Sequence, residues 1–473
     1  MKNKRRDFLK LTGLAGLGLA SGIMKGFANE PHDNNIFSQH NGKFNAQRFN
    51  MSGYAAPKLE TVRVGFIGLG NRGPAHLKNM TKLEGVQIMG LCDLRPASVL
   101  NAKKLVQGSE HNPTIYSGNK DEWKKLCDRK DVDLIYIATP WDLHVPMAVY
   151  AMEQGKHVAI EVPAAVTVDE CWQLVKTSEK TRKHCMMLEN CCYDFFELMT
   201  LNMVRQGFFG EIVHAEGAYI HDLLAGNFAK DKYYDMWRLK QNIGRNGNLY
   251  PTHGLGPVAQ AMNINRGDKM DFLVSVSSND FLMGALAKKL AAQDDFYKPY
   301  VNKDYCGDMN TTVIRTNKGK TIMVQHDVSS PNIYSRIHKI SGTKGSALKY
   351  PLPGKIAIGH EEWLSEKEVK SLEEKYQPAI VKKVGELAKQ VGGHGGMDFL
   401  MDWRLIDSLR NGLPLDQDVY DAALWSAIAP LSEWSVAHRS TSIDIPDFTG
   451  GAWKQNKPVD ITLEQGGNTI VKV

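Results

Sequence analysis

The stretch VRVGFIGLGNRGPAHL, residues 62–77, decides the fold. VRVGFI is nearly all apolar and rich in branched or aromatic side chains, which reads as a strand buried on both faces. Gly68, Gly70 and Gly73 follow as G-x-G-x-x-G, and PAHL opens a helix. The first glycine permits a tight turn, the second lets backbone approach a pyrophosphate, and the third allows close helix–strand packing. Free N–H groups at the helix start favour an anion. Asp93 ends the next apolar run, VQIMGLCD, about 20 residues on, where a carboxylate meets a ribose 2′-hydroxyl. Asp93 repels a 2′-phosphate, so NAD is expected over NADP, with Arg95 pulling the other way.

Outward from this motif the pattern alternates. LIYIATP and HVAIE read as further buried strands, and HVPMAVYAMEQG and DECWQLVKTSEKTR as amphipathic helices, up to HCMMLEN. Strands of this kind between helices predict a parallel sheet covered on both faces. Residues 61–190 are therefore expected to form a dinucleotide-binding Rossmann domain. Beyond Asn190 half-buried strands follow one another: DFLVSVSSN, TTVIRTN, TIMVQHDVS and HKISGT. They predict a second, α+β domain over 191–445 with a largely antiparallel open sheet, closed by two strong helices near the C-terminus and a tail at 446–473. The fold class is α/β.

The chain has 473 residues and a formal charge of +6. Six basic residues against Asp7 within 1–28 carry +5 of that charge. The rest is nearly neutral, so no nucleic-acid surface is implied. The opening MKNKRRDFLKLTGLAGLGLASGIMKGFA pairs Arg5-Arg6 with a weakly apolar run too short for a bilayer. It resembles a twin-arginine export signal, and a periplasmic location is expected. Residues 29–60 read as a linker or arm. The seven cysteines show no paired metal spacing and no disulfide framework, so they read as small buried hydrophobes and no metal is expected.

The set GFIGLGNRG, CDLRP and IYIATPWDLHVPMAVYAMEQGKHVAIEVPAA resembles the glucose–fructose oxidoreductase/inositol dehydrogenase family. The variant EVPAA with WDLH, YPTHG and GGHGGMD resembles glycoside hydrolase family 109, NAD-dependent α-N-acetylgalactosaminidases. That resemblance implies cofactor contacts at Asn71, Arg72, Asp93, Trp141, Asp142, Leu143, His144, Glu161, Val162 and Asn190. It implies substrate contacts at Tyr219, Arg238, Tyr250, Pro251, Thr252, His253 and Tyr334. ENCCYDFF departs from the more basic stretch usual in related sequences. The implied partners are a glycan or small glycoside ending in N-acetylhexosamine and the twin-arginine machinery, with no stable membrane span. Pairing of an exposed sheet into a homo-oligomer is a further expectation.

In the wider family the loop after HVAIE reads Glu-Lys-Pro, and its lysine handles the proton of the hydroxyl being oxidised; here Val162 replaces it. The implied chemistry is transient oxidation of the sugar at C3, elimination of the C1 aglycone, addition of water and re-reduction. It needs bases at the C3 hydroxyl and at C2, and help for the leaving oxygen. Tyr and His are the remaining groups of adjustable pKa. Tyr250 and His253 stand three apart in LYPTHG, on one face if that segment is helical. His253 is the expected proton carrier, against a histidine bonded in a loop. Tyr193 is a second candidate base, against a buried structural tyrosine. Arg238 offers a fork for sugar hydroxyls or an acetamide carbonyl. The competing expectation is a periplasmic NAD-dependent sugar oxidoreductase with net redox turnover.

Overall fold

A computed structural model describes residues 47–472. The expected export segment and most of the expected arm lie outside the described residues. The apolar strands pair as a six-stranded sheet: β1 (Val62–Ile67), β2 (Val86–Asp93), β3 (Thr114–Ser117), β4 (Leu134–Ile137), β5 (His157–Ile160) and β6 (Cys185–Met187). Their order is β3-β2-β1-β4-β5-β6, with every pairing parallel. This is the doubly wound order, and ligands bind it outside the carboxyl ends of the strands. The loops after β1, β4, β5 and β6 therefore share one edge. Local chemistry fixes the helices between them. Thr167 accepts from the Glu170 N–H, and Glu170 bonds back, a capping box that starts helix Val168–Thr181.

The second sheet has eight strands: β7 (Ile212–Ile220), β8 (Met270–Ser277), β9 (Asn310–Thr316), β10 (Thr321–Asp327), β11 (Lys339–Gly342), β12 (Gly345–Leu348), β13 (Lys355–Ile358) and β14 (Ile443–Asp444). The order is β13-β12-β11-β7-β10-β9-β8-β14, antiparallel except where β7 lies parallel to β10. Burial alternates along β9, so one face is covered and the other open. Helix Thr252–Ala261 lies against β7 and β10 on the covered side.

Two C-terminal helices join the sheets. Helix Met397–Asn411 packs on helix Gly73–Met80 and β1, while helix Val419–Ala437 touches Val168–Thr181, β6 and β8. Nearly all of their residues are buried, which marks core rather than surface helices. Residues 446–472, read from sequence as a tail, pack first against the second domain, where the Gly267 N–H reaches the Trp453 carbonyl, and reach the first domain at their end. Val471 bridges Leu83, and Trp403 donates Nε1–H to the Thr469 carbonyl at 2.9 Å. Residues 47–60 are packed too: Met51 and Ala56 are buried, and the Leu59 N–H reaches the Leu409 carbonyl. Among the described residues no helix is long and apolar enough to cross a membrane.

Candidate active site

One continuous cleft of about 970 Å³ follows the carboxyl edge of the first sheet and continues between the two sheets. At its first end the glycine motif does what the spacing predicts. Gly68 has a φ of 93°, and a Cβ there would lie 2.5 Å from the Ala138 backbone. A Cβ on Gly73 would meet the Gly68 carbonyl at 2.0 Å. Gly70 borders the cleft, where a Cβ would find only Arg95 Nη2 at 3.2 Å. Asp93 accepts the Leu69 N–H at 2.8 Å and the Arg95 N–H at 2.9 Å, joining the two loops. A backbone cradle at a helix start, a carboxylate beside it and an apolar wall from Leu94, Leu105 and Trp123 fit a dinucleotide.

The middle of the cleft is walled by Trp141, Leu143, His144, Glu161, Val162 and Asn190. His144 ties two loops together, with Nδ1 2.8 Å from the Pro163 carbonyl and Nε2 2.8 Å from that of Thr139. Glu161 is held in a buried network. Arg72 Nε donates to it at 2.9 Å and reaches Asp398 through Nη1 at 3.1 Å. His76 lies between Glu161 at 3.2 Å and Asp402 at 2.8 Å, and Asn190 donates to Asp398 at 2.6 Å. Burial pushes the Glu161 carboxyl up, but Arg72 and His76 more than offset it and hold it well below the carboxylate range. Val162 presents only an apolar side chain, and no lysine occupies its place.

At the far end Tyr219, Arg238, Tyr250 and His253 converge. Ring centroids lie 4.6 Å apart for Tyr219 and Tyr250, 4.9 Å for Tyr250 and His253, and 5.2 Å for Tyr219 and His253. Tyr250 is not helical as the spacing argument supposed. The helix begins at Thr252, behind Pro251, and Tyr250 reaches His253 from the preceding turn. Burial raises the Tyr250 hydroxyl well above its ordinary pKa, so it stays a proton donor at neutral pH. Arg238 sits 5.2 Å over Tyr250 and 5.8 Å over Trp141, with no carboxylate partner among the described residues.

Two residues in this region carry chemistry that sequence reasoning missed. Glu189, fully buried, accepts from His253 Nδ1 at 2.8 and 3.0 Å. His253 Nε2 has no partner among the described residues, and the ring borders the cleft. His394 is half exposed at the cleft wall, with Nδ1 2.8 Å from buried Asp398. A histidine flanked by two glycines on each side, Gly392 to Gly396, was the available signal.

Other expected residues lie elsewhere. Tyr193 is buried away from the cleft lining and its hydroxyl donates to Asp416 at 3.2 Å, so it has no route to a sugar. Pro251 and Thr252 are buried beneath the Tyr250–His253 turn. Tyr334 stands behind His221, ring to ring at 5.1 Å, while His221 lines the cleft and meets the Tyr219 hydroxyl at 3.0 Å. Asp142 accepts from Gln241 at 2.7 Å rather than facing inward. All seven cysteines are free and buried.

Residues 193–455 match the model of the glycosyl hydrolase 109 C-terminal domain. The chain belongs to glycosyl hydrolase family 109. The family's dinucleotide half is equally plain, since residues 62–189 match the oxidoreductase family NAD-binding Rossmann fold. A Bacteroides fragilis protein named alpha-N-acetylgalactosaminidase is 52% identical over 410 residues, covering 85% of this chain and 95% of its own. A family 109 protein of Shewanella putrefaciens is 45% identical over 473 residues, covering 97% and 98%. The fold is shared with levoglucosan dehydrogenase in complex with NADH, at a TM-score of 0.61 and 17% identity over 82% of this chain and all of that one.

Proposed function

We propose that this family 109 enzyme removes terminal α-linked N-acetylgalactosamine through a redox cycle on the sugar ring, with NAD rather than NADP as the resident cofactor. The observation that carries the reading is the continuity of one cleft from the glycine loop to the Tyr219–Arg238–Tyr250–His253 cluster. The name of the 52% identical Bacteroides fragilis relative supports the substrate, and Asp93 at the end of β2 supports NAD.

An ordinary glycosidase would need two free carboxylates across the bond. The acids lining this cleft do not supply them. Glu161 is ion-paired, Asp93 holds backbone N–H groups, Asp222 accepts the Leu224 N–H, and Asp231 adjoins Lys232 beside the glycine loop. A bound nicotinamide dinucleotide supplies reversible hydride exchange with the ring. A C3 ketone makes the neighbouring C2 proton acidic, and His253 Nε2 removes it while Glu189 holds Nδ1–H and so fixes the tautomer. The Arg238 guanidinium supplies positive charge where the enolate oxygen develops. The Tyr219 hydroxyl accepts the C3 hydroxyl proton as its own passes to His221 Nδ1, 3.0 Å away, with the protonated Tyr250 hydroxyl beside it, and the transfer reverses on re-reduction, the task that a lysine performs elsewhere. His394, oriented by Asp398, protonates the leaving oxygen and then activates water.

The test is hydrolysis of p-nitrophenyl α-N-acetylgalactosaminide in D₂O without added NAD. The expected product carries deuterium at C2. Turnover with no label at that carbon, or full activity after verified removal of all cofactor, overturns the reading. Export after folding through the twin-arginine route is part of the proposal, supported by Arg5-Arg6 and the run that follows. Loss of the periplasmic fraction on replacing both arginines by lysine tests it.

A further inference from the structure

Three loops of the first sheet frame the cofactor end of the cleft, and a single segment of the second domain touches all three. The carbonyl of Lys232 accepts from Asn71 Nδ2 at 2.8 Å, beside the glycine loop. The ring of Tyr234 lies 5.2 Å from the Arg95 guanidinium, beyond β2. Trp237 meets Trp141 edge to face at 5.4 Å, and Gln241 Nε2 donates to Asp142 at 2.7 Å, both on the loop after β4. The same segment forms part of the cleft wall. Its backbone is held in an unusual shape, because Asp235 and Met236 have φ of 52° and 45°, left-handed values that non-glycine residues rarely adopt. Met236 is buried there, which fastens the turn.

We propose that residues 231–241 form a strap across the outer side of the dinucleotide groove, holding NAD as a resident group. This rests on the redox-cycle reading, in which every turnover returns the cofactor to its starting state and exchange serves no purpose. Each tie is individually weak. Release of the cofactor requires the segment to leave all three loops together, so the ties act jointly on the dissociation rate.

The experiment measures exchange of bound NAD against isotopically labelled NAD in the purified full-length protein. Bound and free nucleotide are separated by rapid gel filtration and quantified by mass spectrometry, independently of activity. The wild type should keep its nucleotide through filtration. The double variant Tyr234→Ala/Gln241→Ala should exchange roughly tenfold faster, from loss of one cation–π contact and one hydrogen bond. Tyr234→Phe, which keeps a ring over Arg95, should stay close to wild type. If the double variant fails to fold, Gln241→Ala alone carries the test in the same direction with a smaller increase. Equal exchange rates in wild type and the folded strap variants overturn the strap while leaving the hydrolytic reading intact. Retained nucleotide in the wild type, released faster by the variants, with no deuterium at C2 of the product, upholds the strap and overturns the cycle.

Discussion

The Glu189–His253 couple shows how one buried carboxylate decides what a histidine does. Glu189 has both oxygens within 3.0 Å of Nδ1 and also accepts the Cys191 N–H at 3.1 Å, so its position is fixed from two sides. Burial favours its neutral form, but His253 and the hydrogen bonds around it hold its pKa below the ordinary value. Glu189→Gln keeps the shape and offers an N–H where a carboxylate stood, which favours the tautomer with its proton on Nε2. That nitrogen then has no lone pair for the C2 proton. We expect kcat to fall on the order of 10²–10⁴-fold with KM little changed, and Glu189→Asp to recover part of the loss. A Gln variant with wild-type kcat would remove Glu189 from this role. Sequence exposed His253 because YPTHG is short and rich in chemistry. It hid Glu189, 64 residues away, because an acid at the end of an apolar strand has no local periodicity to mark its partner. Tyr193 misled for the related reason that proximity in sequence to Asn190 does not give its hydroxyl a path into the cleft.

Among elements, the glycine run at residues 392–396 is the clearest case of backbone serving chemistry. Five consecutive residues, His394 included, have positive φ. A Cβ on Gly396 would also lie 2.9 Å from the Ala388 carbonyl carbon, where the backbone has no room to yield. Gly396→Ala should therefore cost about 1–2 kcal/mol in stability from the left-handed backbone alone, read as a lower urea midpoint at unchanged slope. It should also displace His394 from Asp398. The activity loss then depends on the leaving group. It is larger for alkyl and sugar aglycones, which need a proton for departure as well as an activated water, than for p-nitrophenol, which leaves readily as the anion and needs only the water. Equal losses on both classes would show that His394 does not serve the leaving oxygen. In the first domain β1, β2, β4, β5 and β6 were legible because they are apolar, almost wholly buried and separated by strong punctuation. β3, β12 and β13 were not, being four-residue strands that sit at or near sheet edges, where half-buried side chains blur the pattern.

At the scale of the molecule, the two C-terminal helices do what no local pattern announces. Buried almost all round rather than amphipathic, they were nevertheless plain as helices in the sequence. Their destination was not, because Arg72 and Asp398 lie 326 positions apart and meet only when the chain has closed on itself. The result is a buried network that joins the glycine loop, the β5 loop and helix Met397–Asn411 through Arg72, Glu161, His76, Asp398 and Asp402. This network makes stability depend on pH in a definite direction. Burial lowers the pKa of His76, but Asp402 and Glu161 outweigh it and raise the folded value from the ordinary 6.5 to about 10. A raised folded pKa contributes stability in full below pH 6.5, where both states hold the proton, and loses it as pH climbs toward 10. One proton contributes a slope of at most about 1.4 kcal/mol per pH unit. The melting temperature of the wild type should fall across that window, measured by calorimetry at fixed ionic strength. His76→Gln leaves Asp402 without its imidazolium, so the variant starts lower at pH 6.5, yet its decline toward pH 10 should be shallower than that of the wild type. Parallel curves for the two proteins would mean that the folded His76 sheds its proton near the ordinary value, and that its charge adds nothing to the network joining the two halves.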